Sequence, residues 1–122
     1  MRDRIGRSFL AASMSSVLLA ASGCHSYHIE SIIENRTGAA IQLLEVDYPS
    51  ASFGVDKVAS GTDFHYRFQV RGDGPLTVQY TAAGGHEVQI TGPTLAERQE
   101  GQLDIELLPD GKAEFVPHLT SP

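Results

Sequence analysis

From residue 63 to residue 70 the side chains alternate without a break. Phe64, Tyr66, Phe68 and Val70 fall on one face, and Asp63, His65, Arg67 and Gln69 on the other. A period of two describes a strand with one face on a core and one in water, not an amphipathic helix. The alternation recurs in Leu76, Val78 and Tyr80 against Thr77, Gln79 and Thr81. Val88 and Ile90 repeat it, as do Leu103, Ile105 and Leu107, and Gly or Pro stands between the segments.

Residues 27–34 and 41–48 complete the strand candidates on the N-terminal side. Leu43, Leu44 and Val46 put apolar groups on both faces, which marks an interior strand. Pro49 is expected to end it, with residues 50–54 as a connection and 55–58 as a short edge strand. Lys57 on that edge discourages pairing with another chain. Residues 63–70, 76–81 and 87–91 read as a meander that Gly92-Pro93 ends. Thr94 and Glu97 have capping-box spacing, which fits one helical turn or a plain loop. Pro109-Asp110-Gly111-Lys112 signals a hairpin, followed by a last strand at 113–116. Asn35-Arg36-Thr37-Gly38 and Arg71-Gly72-Asp73-Gly74-Pro75 read as turns, although they contain a glycosylation sequon and an adhesion tripeptide.

Seven or eight short strands with this spacing predict an all-β fold, an antiparallel β-sandwich. Immunoglobulin-like topology is the favoured form at this length, and a small closed barrel is the runner-up. The Cys–Trp–Cys set of antibody domains is absent: the chain has one Cys and no Trp.

The first 24 residues follow another logic. Arg2, Arg4 and Arg7 precede a short apolar run from Phe9 to Ala21, broken by serines. A cationic start, a 7–15-residue apolar stretch and small residues after it describe an export signal. The run is too short to span a bilayer, which needs about 20 apolar residues. Leu19-Ala20-Ala21-Ser22-Gly23-Cys24 resembles the lipobox of bacterial lipoproteins, with Ala21 where that class usually has Leu. The resemblance implies cleavage before Cys24, a diacylglyceryl thioether on its sulfur and an acyl chain, such as palmitate, on its new amine. It also implies an address in the cell envelope. His25 stands where Asp tends to hold such proteins at the inner membrane, so the outer membrane is favoured. On this reading residues 1–23 are a signal peptide, 24–27 a short tether, 28–117 the sandwich and 118–122 a tail. An unpaired cysteine in an exported chain is otherwise unusual.

The 99 residues from Cys24 onward carry 6 basic and 14 acidic side chains, a net charge of −8, and no methionine. That field disfavours nucleic acid and anionic lipid surfaces. Without Met there is no thioether site for Cu(I). No Gly-x-Ser-x-Gly elbow occurs, and the histidines are scattered, so a hydrolytic enzyme is the least favoured reading.

Two residue groups remain as candidate sites. Asp63 and His65 lie two apart on one strand face, and a neighbouring strand brings His86 near in the meander. These ligand types suit Zn or Cu, and the plain alternative is a solvated polar face. Tyr48, Pro49 and Phe53 make residues 48–54 apolar for a connection, which suits partner binding, and the alternative is that Phe53 plugs the core. The expectation is therefore a membrane-anchored extracytoplasmic lipoprotein without enzymatic activity, a binding or structural module with an envelope protein as partner and no nucleic acid. A periplasmic metal or small-ligand carrier is the alternative.

Overall fold

The computed structural model describes residues 25–122. The leader and the acylation of Cys24 lie outside the described residues. Eight strands form two four-stranded sheets. They are β1 (Ile29–Asn35), β2 (Ile41–Tyr48), β3 (Ala51–Val58), β4 (Asp63–Phe68), β5 (Gly74–Thr81), β6 (Glu87–Leu95), β7 (Glu100–Leu108) and β8 (Lys112–Thr120). One sheet runs β4-β1-β7-β8 and the other β3-β2-β5-β6. Every pairing is antiparallel except β1 with β7. The result is a β-sandwich. Its four-on-four division differs from the four-on-three of an immunoglobulin constant domain.

The core lies where the alternating residues of both sheets meet. Ile29, Ile33, Leu103, Ile105 and Leu107 from one sheet and Val46, Leu76 and Val78 from the other are all sealed from solvent. Burying each such side chain contributes about 2 kcal/mol. Edges face edges across the layers: β3 lies beside β4, and β6 beside β8.

Several expectations are corrected here, most of them at prolines. Pro49 does not end regular structure. The chain reverses at Pro49-Ser50, and Ala51 pairs back onto Tyr48, so residues 51–54 belong to β3. Gly92-Pro93 does not end β6 either. These two residues sit in a bulge opposite β5, on an edge strand where a missing amide is tolerated. A Cβ on Gly92 would lie 2.7 Å from the Phe115 ring, which packs over that bulge from β8. Pro117 lies within β8 opposite Leu103, and pairing runs on to Thr120. The sandwich therefore extends past 117, and residues 118–120 are strand rather than tail. Thr94 and Glu97 start no helix, since β6 continues to Leu95 and a turn follows. The meander fails at its first link, because β4 belongs to one sheet and β5–β6 to the other. Leu43, with φ of 52°, forms a bulge in β2 and is 64% exposed, which returns Leu44 to the core.

One polar residue holds the end of the sandwich remote from His25. Asn35, fully buried, closes β1. Its Nδ2 donates to the carbonyls of Ala39 (2.8 Å) and Val58 (3.0 Å). Its Oδ1 accepts from the Thr37 amide (3.1 Å) and hydroxyl (2.7 Å). The turn read at 35–38 is thus an Asx turn whose side chain also ties down the end of β3. Asn35→Ala strands these buried partners and is expected to cost about 2–3 kcal/mol. The check is urea unfolding, with a lower midpoint and an unchanged slope; Asn35→Asp, which turns a carboxylate oxygen toward two carbonyls, costs more.

Candidate functional site

The chain enters the fold at the opposite end. The β2–β3 turn, the 69–73 connection and the 96–99 turn gather there, together with the start of β1. Arg71 N donates to Ser50 Oγ (3.1 Å) and Glu97 N to Asp73 Oδ1 (2.9 Å), which tie these loops together. Asp73 of the adhesion tripeptide is therefore engaged within the fold.

Aromatic rings from β2, β3 and β4 close the side of the sandwich where β3 meets β4. Tyr66 stacks on Phe53, with centroids 4.2 Å apart and planes within 15°. Tyr48 lies 4.4 Å from Phe68, and Phe53 is 5.4 Å from Phe68. Phe53 is only 7% exposed, so it plugs the core, as the alternative reading of this residue had it, and is not available as a partner contact. The reason is the hairpin at Pro49-Ser50, which sets Phe53 opposite Val46. Tyr48 stays half-buried and Pro49 exposed. Tyr66, drawn on the core face by the alternation, is 42% exposed because it covers the rim of the sandwich.

Beside this cluster is a groove of about 350 Å³, lined by His28, Tyr48, Ser50, Ala51, Tyr66, Arg67, Phe68, Gln69 and Arg71. No carboxylate is among the lining residues. Arg67 Nη2 donates to His28 Nδ1 at 3.4 Å, and its Nε lies 3.4 Å from Glu30 Oε1. Among the described residues no carboxylate pairs with Arg71. Two of the domain's six Lys and Arg side chains thus line one groove together with two tyrosines. This arrangement suits an anionic or amphipathic surface: guanidinium groups donate to oxyanions, and tyrosines present an apolar body with a polar tip. Elsewhere the surface is acidic. On the outer face of β2 the neighbouring Asp47 carboxylate accepts a hydrogen bond from Glu45 when Glu45 is protonated and repels it when it is charged, raising the Glu45 carboxyl above its usual pKa.

The metal candidates do not assemble. His65 Nε2 lies 3.2 Å from Asp63 Oδ2, both exposed on β4. His86 is in the β5–β6 connection, on the side where β6 meets β8. There it lines a different hollow, with Tyr80, Val88 and Pro109. The crossing from β4 to the other sheet separates them. Among the described residues no three His, Cys, Asp or Glu side chains form a metal-holding group.

Of the groove residues, Tyr48, Ser50 and Ala51 fell within the stretch read as suited to binding, and Arg71 within a tripeptide read as a turn. His28, Tyr66, Arg67 and Arg71 lie on three segments that only the sheet pairing brings together. The clue available in sequence was the pair Arg67 and Arg71 beside tyrosine-bearing strands in an acidic chain.

No family model matches the chain, and no curated protein matches it. Among solved structures, the NMR structure of a protein from Eubacterium rectale superposes with a TM-score of 0.53 at 16% identity, over 81% of this chain and 94% of that one. At this identity the likeness concerns the fold alone, which in this chain is a β-sandwich.

Burial holds the hydroxyls of Tyr48 and Tyr80 above the ordinary tyrosine pKa of 10.0, and the neighbouring Tyr66 adds to the effect at Tyr48. A tyrosine whose folded pKa is raised contributes stability that is complete below its unfolded pKa and lost as pH rises through the folded one. Stability is therefore expected to fall above about pH 10. In a domain without Trp, absorbance titration near 295 nm checks this: Tyr48→Phe and Tyr80→Phe should each remove part of the late-titrating amplitude.

Proposed function

We propose that the chain is a lipid-anchored extracytoplasmic lipoprotein of the bacterial envelope, and that its β-sandwich is a binding or structural module rather than an enzyme. The observation that carries this reading is the leader: three arginines, a short apolar run, and Ser22-Gly23 before the lone Cys24. Acylation gives that thiol a use, and two or more chains give stable attachment where one holds marginally. An outer-membrane address fits His25 at the position after the cysteine. The contact surface of the module, on this proposal, is the Tyr48–Arg71 groove.

The reading is tested on protein made in a diderm bacterial host and extracted from membranes with detergent. Intact mass should correspond to residues 24–122 plus diacylglycerol and an amide-linked acyl chain, and Cys24→Ala should abolish the added mass. A full-length chain that retains Met1 and carries no acyl group would overturn it.

A further inference from the structure

The groove lies at the end of the molecule where the described chain begins, at His25. Cys24 precedes His28 by four residues, a stretch that spans at most about 14 Å fully extended. His25 Nε2 sits 3.0 Å from Glu100 Oε1 and its ring 4.4 Å from that of Tyr27, so the segment is drawn against the domain. Of the four tyrosines, Tyr80 is in the core, while Tyr27, Tyr48 and Tyr66 are all at this end or its rim. Arg67 and Arg71 are beside the last two. Tyrosine rings and arginines whose stems lie along apolar surface are the side chains that settle at the level of lipid headgroups.

Resting on the lipoprotein reading above, we infer that this groove docks onto the phospholipid headgroup layer of the membrane that holds the anchor. Arg67 and Arg71 take lipid phosphates, and Tyr48 and Tyr66 sit among the headgroups. The domain is thereby held in one orientation instead of swinging on its tether. The overall negative charge does not oppose this. Charges farther away than a Debye length, about 8–10 Å, are screened. Of the nearer acids, Glu30 is paired with Arg67, while Glu100 hydrogen-bonds to His25 and Asp73 accepts from the Glu97 amide, so that both point into the fold.

The test uses the acylated product, residues 24–122 with its mass confirmed, in vesicles of phosphatidylethanolamine and phosphatidylglycerol that carry a headgroup nitroxide. A Tyr27→Phe background leaves Tyr48 and Tyr66 as the exposed fluorescent reporters. Docking is expected to quench them. Each arginine near an anionic surface contributes such that removing both lowers the docked-to-undocked ratio by about thirtyfold. Arg67→Gln with Arg71→Gln should therefore lose the quenching, and so should Arg71→Glu alone to a lesser degree, in case changes at Arg67 disturb its pairing with Glu30. Lys57→Gln with Lys112→Gln, the same charge change at the far end, should keep it. Inorganic phosphate should not compete, because the site is the layer and not a free anion. Equal quenching in all variants, or quenching abolished equally by the lysine changes, would overturn the inference while the confirmed mass leaves the lipoprotein reading standing. An unacylated product would overturn both.

Discussion

β1 is hydrogen-bonded on both sides, antiparallel to β4 and parallel to β7, and the architecture depends on that placement. The first strand of the domain is an interior strand, so the segment leading into it is held at a fixed place. Its inward residues, Ile29, Ser31, Ile33 and Asn35, are all buried. The two polar ones are satisfied: Ser31 Oγ donates to the Tyr66 carbonyl at 2.8 Å, and Asn35 ties together the end of β1, the following turn and the end of β3. Buried polar groups that find all their partners specify register, because a one-residue slip would strand them. Hydrophobic burial supplies the driving force for the sandwich, and these two side chains select the pairing.

The same placement sorts the surface into two ends. Asn35 organises one of them, with short turns and the histidine that failed to meet its supposed metal partners. The other receives the chain and carries the groove. Gly101 there has φ of 134°, and a Cβ would fall 2.1 Å from the His118 carbonyl. Only glycine lets β7 start this close to β8 while its amide bonds to the His28 carbonyl at 3.1 Å. The backbone that positions His28 is therefore as constrained as the core.

Much of the fold was legible from alternation alone. Residues 41–48 coincide with β2, and residues 63–70, 76–81 and 103–107 lie on or largely overlap β4, β5 and β7. Proline was the main source of error. Pro49, Pro93 and Pro117 each read as a terminus, yet they occupy a two-residue turn, a bulge and an edge strand. In each setting the missing amide costs little, and which setting applies depends on neighbours that are distant in sequence. The assignment of strands to sheets was not legible for the same reason: nothing local tells β5 to cross over instead of pairing with β4. That one crossing removed the expected meeting of Asp63, His65 and His86. It also left Tyr66 at a rim, where it shares a groove with Tyr48. Leu43 shows the reverse case, an apolar side chain in a strand turned outward by a bulge that no periodicity announces.

The account's central claim is that the first strand of the domain is locked in mid-sheet, so that the groove beside it keeps a fixed position relative to His25, where the described chain begins. Native-state hydrogen exchange tests this most directly. The account predicts that the inward-bonded amides of β1 exchange with those of β7 and only through global unfolding, more slowly than the outer amides of the edge strands β6 and β8. Exchange of β1 through local opening, at rates typical of an edge strand and independent of global stability, would contradict it.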